Sequence, residues 1–291
     1  MKDKIYKFQD LTPVEEIDGV YFKRDDYYMV GKSCGGKVRS CWDLSKNTTK
    51  GLVTAGSKAS PQINIVSEIG KKLNIPVVAF TPEGELKPEV KLAAINGARI
   101  CQVQAGYNLV IIRRAKDYAK AHQYTEIPFG METRKAISQT RLQVRNLPFG
   151  MFNRIVIPVG SGMSLAGLLW GLNDLKMHVP IIGVVVGAEP YDRLNTYAPR
   201  DWRKRVTLIK SESDYHAYYN DQEENLFKGV LLDPIYEAKC IPYIKDGDLM
   251  WVVGQRASLG IDQNWIEDEF KKIRKDKIFF MTKKNRVLKR W

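Results

Sequence analysis

Residues able to do chemistry cluster at two junctions of one kind. Gly160-Ser161-Gly162, followed by Met163 and Ser164, comes directly after an apolar run at 154–159 and opens a helical spacing over 164–172. Amide groups at a helix N-terminus have no intrahelical acceptor and meet the positive end of the helix dipole, so such a turn can hold an anion, most often a phosphate. Glycine lets the backbone come close to it. A strand-to-helix turn that binds nothing looks the same in sequence. No Gly-Lys-Ser/Thr follows, which excludes a Walker loop, and no Rossmann glycine spacing with a downstream acid disfavours a dinucleotide. The second junction, Ala55-Gly56-Ser57-Lys58-Ala59-Ser60-Pro61-Gln62, is a candidate anion or carboxylate cradle. Lys37 follows Gly35-Gly36 and reads either as a reactive amine or as a solvated first-turn residue. Tyr236 and Glu237, in Leu232-Asp233-Pro234-Ile235-Tyr236-Glu237-Ala238-Lys239, would alone be an ordinary turn. His122, His178 and His216 lack metal-ligand spacing, so no metal site is expected, and no hydrolase triad is supported.

The elements that must position these residues alternate. Strand-like runs at 51–55, 76–80 and 100–103 are separated by helical spacings at 62–73, 90–97 and 107–122. A second series has strands at 154–159, 180–186 and 249–253 with a helix at 164–172. Strands separated by helices of this length imply βαβ units and parallel sheets. The run at 180–186 is nearly all apolar, as befits a strand covered on both faces. The chain therefore reads as two α/β lobes, crossed first after about Lys37 and again near Pro148-Phe149-Gly150. Residues 196–229 break the pattern with the basic, aromatic Arg200-Asp201-Trp202-Arg203-Lys204-Arg205 and the acidic cluster of 221–224.

Taken in order, the pieces carry a resemblance. Lys23-Arg24-Asp25-Asp26 is followed by Gly35-Gly36-Lys37, the Ser60-Pro61-Gln62 junction, Ile127-Pro128-Phe129-Gly130, Gly160-Ser161-Gly162 and then Leu232 through Glu237. This resembles the fold type II, tryptophan-synthase-β-like pyridoxal-phosphate enzymes, and within them the aminocyclopropane-carboxylate deaminase and D-cysteine desulfhydrase branch. It implies an α/β fold of two open parallel-sheet, three-layer domains with the cofactor cleft between them. Residues 1–45 and 150–291 would form a large cofactor-binding domain with a basic tail, and 46–149 a smaller inserted domain. It also implies pyridoxal 5'-phosphate as cofactor and a homodimer. Lys37 matches the lysine that forms the Schiff base. Gly160, Ser161, Gly162, Met163 and Ser164 match the phosphate loop, and Glu237 the carboxylate facing the pyridine nitrogen. Tyr236 matches a tyrosine beside the substrate, and Ser60 and Gln62 the substrate-carboxylate segment, with Lys37, Tyr236 and Ser60 as catalytic candidates. The chain departs from the pattern at Pro61 and Gly36, where the family has asparagine, and at Ser40-Cys41-Trp42. These changes bear on the substrate more than on the cofactor.

Composition sets the outer bounds. The chain has 291 residues, 44% hydrophobic and 27% charged, which excludes global disorder. No apolar run approaches the roughly 18 residues of a membrane helix, and Met1-Lys2-Asp3-Lys4-Ile5 has no apolar signal core. The four cysteines form no CxxC pair, so reduced thiols and a cytoplasmic location are expected. Lys and Arg number 46 against 33 Asp and Glu, a net +13, and residues 271–291 supply +9 of it. The bland reading is a solvated helix and tail, the sharper one a surface for a polyanion. Three functions follow. The first is a lyase or deaminase acting at the α-carbon of a small amino acid. The second is the same chemistry on an aminoacyl group attached to a nucleic acid base, held through the basic tail and the Arg200–Arg205 region, with Trp202 stacking on the strand. The third is a cofactor-free nucleic-acid-binding descendant.

Overall fold

The computed structural model describes residues 5–104, 107–212, 225–273 and 277–281. Within them the chain divides into two compact units, one drawn from Met1–Met29, Cys34–Ser40 and Glu132–Gln255, the other from Val30–Ser33, Cys41–Met131 and Arg256–Trp291.

The first unit is built on a six-stranded sheet in the order Val14–Ile17, Val20–Arg24, Leu249–Val252, Ile155–Val159, Ile181–Val185, Val206–Lys210. All pairings are parallel except the edge hairpin of Val14–Ile17 with Val20–Arg24. Asp18 and Gly19 turn that hairpin with both φ angles positive, as a two-residue Asp-Gly loop requires. The central strands are apolar throughout because both faces are covered. Ile155, Ile157, Val159 and Trp251 face the Met163–Asp174 helix, whereas Val156, Val184, Met250 and Val252 face Leu232, Ala238 and Cys240 on the other side.

The second unit has a five-stranded parallel sheet in the order Ile278–Met281, Arg99–Val103, Val77–Pro82, Leu52–Ala55, Thr125–Ile127. Val53, Ala55, Val78, Phe80 and Cys101 pack on Ile111, Ala115 and Tyr118 of the Asn108–His122 helix. The Gln62–Leu73 helix ends at Asn74 in the left-handed conformation, its amide bonded back to Gly70 and Lys71.

The strands and helices fall within a few residues of the expected ones, but the division between units differs from the expected 1–45 with 150–291 against 46–149. Residues 132–149 go with the first unit because the Arg134–Gln143 helix lies tightly on Met163–Asp174. A Cβ on Gly167 would stand 2.7 Å from Thr140, and one on Gly171 2.3 Å from Val144. Residues 256–281 go with the second unit. There Ile266 and Ala257 pack on Leu92, the Ser258 amide donates to buried Glu89 at 2.7 Å, and Ile278–Met281 extends the sheet beside Arg99–Val103. No sequence periodicity marks either transfer, since both depend on contacts between segments distant in the chain.

Candidate active site

Lys37 is the second residue of the Gly36–Ser45 helix, and its approach is set by glycines. Gly35 has φ +109°, and a Cβ there would lie 2.4 Å from the Val253 carbonyl oxygen. Strand pairing of Gly254 with Gly35 and Gln255 with Cys34 therefore needs two backbones closer than side chains allow. Gly36 N–H then donates to Val253 O at 2.7 Å. The other side of that same Val253–Gly254 peptide donates its N–H to Glu237 Oε1 at 3.2 Å. One peptide plane thus ties the start of the lysine helix to the Glu237 carboxyl.

Glu237 is buried, and its carboxyl is held well above the usual carboxylate range. Burial is the main cause and the nearby Asp233 charge adds to it, while backbone hydrogen bonds and the Lys37 charge pull the other way. Asp233 also shapes the turn: its Oδ1 accepts from Ile235 N–H at 2.9 Å and Tyr236 N–H at 3.2 Å, an Asx-type turn that presents Tyr236 and Glu237 together. Lys37 Nζ stands 5.4 Å from the centroid of the Tyr236 ring. The same ring lies over the phosphate-loop candidate, where a Cβ on Gly160 would come within 2.9 Å of it. Gly162 caps the Met163–Asp174 helix at φ +85°, a conformation L side chains rarely adopt. Ser161 and Ser164 are half-buried and Met163 is buried.

Behind Gly36 lies a buried polar cluster that sequence reasoning missed. Asp25, 1% exposed, accepts from Thr12 Oγ1 at 2.7 Å and Trp251 Nε1 at 2.9 Å, and its Oδ2 would be 3.4 Å from a Cβ on Gly36. Lys23, wholly buried, donates to Thr12 O, Asn146 Oδ1 and Gln143 Oε1, and burial lowers its amine to about 8, with Asp25 opposing and Arg39 adding to the effect. Two acids and two bases in Lys23-Arg24-Asp25-Asp26 gave the only signal, because a strand that carries charges at buried positions needs partners waiting for them.

Ser60 and Gln62 belong to the second unit. Ser60 Oγ accepts the Gln62 amide at 3.2 Å, which places it at the mouth of the Gln62–Leu73 helix. Pro61 sits in the right-handed helical region just ahead of that helix, where a missing N–H costs nothing. Gln62, expected to contact a substrate carboxylate, engages the protein itself in this structure. Its Nε2 donates to Thr54 Oγ1 at 3.0 Å and Pro128 O at 2.8 Å, and its Oε1 accepts from Gly130 at 2.9 Å. One donor and the carbonyl oxygen thus clamp the 127–130 segment, at Pro128 O and Gly130 N–H, and the other donor is held by Thr54, which explains why Ile127-Pro128-Phe129-Gly130 and Gln62 occur together.

The nucleic-acid expectations fare differently. Trp202 is 2% exposed and its indole donates to Asn195, so it offers no face to a base and the stacking role is corrected. Lys271 and Lys272 pair with Asp268 and Glu269. Of the other basic residues in 271–291 only Lys277 is among the described residues, and the acidic cluster of 221–224 and His216 also lie outside them. Among the described residues no helix is long and apolar enough to cross a membrane.

The family described as pyridoxal-phosphate dependent enzyme matches residues 7–220. The chain belongs to that family. It is 26% identical over 257 residues to a Thermotoga maritima protein provisionally named 1-aminocyclopropane-1-carboxylate deaminase, covering 76% of this chain and 81% of the relative. D-cysteine desulfhydrase of Yersinia pestis is 24% identical over 286 residues, covering 81% and 85%. Among solved structures, an ACC deaminase homologue superposes with a TM-score of 0.71 at 20% identity over 93% of this chain and 96% of that one, which shows the fold. The residues present fit pyridoxal phosphate. Within a single unit a glycine-lined helix N-terminus and a lysine amine stand beside one tyrosine ring, and a buried, protonatable carboxyl is joined to the start of the lysine helix through one peptide.

Proposed function

We propose that this pyridoxal-phosphate-dependent enzyme is a lyase of the deaminase or desulfhydrase kind, acting at the α-carbon of a small amino acid. The observation that carries the reading is the Val253–Gly254 peptide, which binds Gly36 on one side and Glu237 on the other. It fixes the backbone at the start of the lysine helix relative to a protonatable carboxyl. The names of the relatives, a deaminase and a desulfhydrase, support the reaction class.

In this reading Gly160 to Ser164 hold the cofactor phosphate, with the helix dipole behind them. Bound pyridoxal phosphate supplies an electron sink for the charge left at the substrate α-carbon. Glu237 would be the partner of the ring nitrogen. Its burial favours the protonated carboxyl, and a cation brought beside it would favour the charged form. The Lys37 ε-amine anchors the cofactor and afterwards moves a proton at the α-carbon. The Tyr236 ring separates the amine from the phosphate loop and offers its hydroxyl for proton transfer. Ser60 remains the candidate to meet the substrate carboxylate, at the N-terminus of the Gln62–Leu73 helix.

The test is a screen of free amino acids of both hands and of aminoacylated nucleosides, read by spectral shift of the bound cofactor. Purified protein should be coloured and should lose that colour in Lys37→Ala. Protein that stays colourless after cofactor is added would refute the assignment. Shifts only with nucleosides would move the substrate away from free amino acids.

A further inference from the structure

A cavity lined by basic residues lies at the other end of the first unit's sheet. The Ile155–Val159 strand runs toward Gly160, and Ile181–Val185 and Val206–Lys210 lie parallel to it, with Ile181 level with Ile155 and Val206. A cavity of about 360 Å³ opens where the latter two strands begin, lined by His178, Arg203, Lys204, Arg205 and the first residues of both strands. A five-residue strand spans about 16 Å, so this cavity and the 160–164 loop occupy opposite ends of the sheet.

Four of its lining residues are basic types and none is acidic. The arginines are already fixed. The Arg203 guanidinium lies 4.6 Å from the centroid of the buried Trp202 ring, whose indole is tied to Asn195. Arg205 Nη2 donates to Met177 O at 3.0 Å and Nη1 to Asn173 Oδ1 at 3.4 Å. Its Nε is buried and has no partner among the described residues. The Nε lies out of solvent's reach, but each terminal nitrogen of the guanidinium uses only one of its two hydrogens on the protein, and the second is left for an oxyanion with little rotamer freedom still to lose on binding. The short helical turn Trp202–Lys204, closed by Arg205 N–H to Trp202 O, holds the three cations in sequence around the opening.

We propose that this cavity binds the phosphate or diphosphate group of a small molecule, independently of the cofactor phosphate. The volume suits a diphosphate, and planar guanidinium forks match its oxygens. This explains why a buried tryptophan stands amid Arg200-Asp201-Trp202-Arg203-Lys204-Arg205: the indole is the platform for Arg203, not a base-stacking surface.

The test is calorimetric titration of the cofactor-loaded protein with inorganic phosphate and with pyrophosphate at low salt, so that the 160–164 loop is already filled. Saturable binding of pyrophosphate is expected, with Kd below about 1 mM. Arg205→Gln and Arg203→Gln should each weaken it about tenfold or more, the usual worth of a hydrogen bond to a charged group, without changing cofactor absorbance. Arg203 is exposed, so its variant decides the matter if Arg205→Gln fails to fold. No saturable heat, undiminished pyrophosphate binding by both variants, or binding of a duplex oligonucleotide with none of pyrophosphate would overturn the proposal.

Discussion

Glu237→Gln should make the cofactor-free protein more stable and the loaded enzyme slower. The carboxyl is 3% exposed and its titration is raised well above the ordinary value by burial, then by Asp233. An acid raised in this way holds more protons folded than unfolded. Below the unfolded value of about 4.3 it costs nothing. As the pH rises from there toward the folded value, stability falls by about 1.4 kcal/mol per pH unit. Glutamine resembles the neutral acid, keeps an oxygen for the Gly254 amide and cannot ionise. The variant's advantage should therefore grow with pH, by roughly 2–4 °C in Tm for each kcal/mol. Melting curves of both cofactor-free proteins at pH 5, 6, 7 and 8 measure it, and the difference between them cancels every other titrating group. In the loaded enzyme glutamine cannot pair with a protonated ring nitrogen, and turnover should drop about tenfold or more, equivalent to about 1.4 kcal/mol of barrier. Parallel melting curves, or a variant that loses ground as the pH rises, would mean that Glu237 is charged at rest, and the reasoning from burial would fail.

Other perturbations probe the surroundings. Lys23 gives the opposite pH dependence: its amine titrates near 8 against about 10.4 when unfolded, so wild type should gain roughly 3 kcal/mol on Lys23→Met between pH 8 and 10.4, read by urea unfolding. A flat difference would show that the amine is not desolvated. Gly160→Ala puts a methyl 2.9 Å from the Tyr236 ring, which must then move. Cofactor affinity, followed by fluorescence titration, should fall several-fold, and unchanged affinity would remove Gly160 from the phosphate site. Trp251→Phe leaves Asp25 without its indole donor and should cost about 1–3 kcal/mol in denaturant unfolding. A loss below about 0.5 kcal/mol would mean that the Asp25 cluster does not brace the sheet.

The sequence by itself determined the alternation of strands and helices, because burial on both faces forces apolar runs such as Ile155–Val159 and Ile181–Val185. The order of its motifs also marked Lys37, Glu237 and the Gly160-Ser161-Gly162 turn as candidates through the resemblance that order carries, although each alone reads as an ordinary turn or first-turn residue. Tertiary structure alone decided how those candidates are joined. The Val253–Gly254 peptide has no side-chain signature, yet it links the lysine helix to Glu237. The sequence could not tell that Gln62 spends its amide on Thr54 and Pro128, or that Trp202 is buried beneath Arg203. It also could not place residues 256–281 beside the Arg99–Val103 strand. Local sequence carries periodicity and conformational preference, but partners tens to hundreds of residues apart are chosen only when the packed chain leaves each buried polar group a single neighbour within reach.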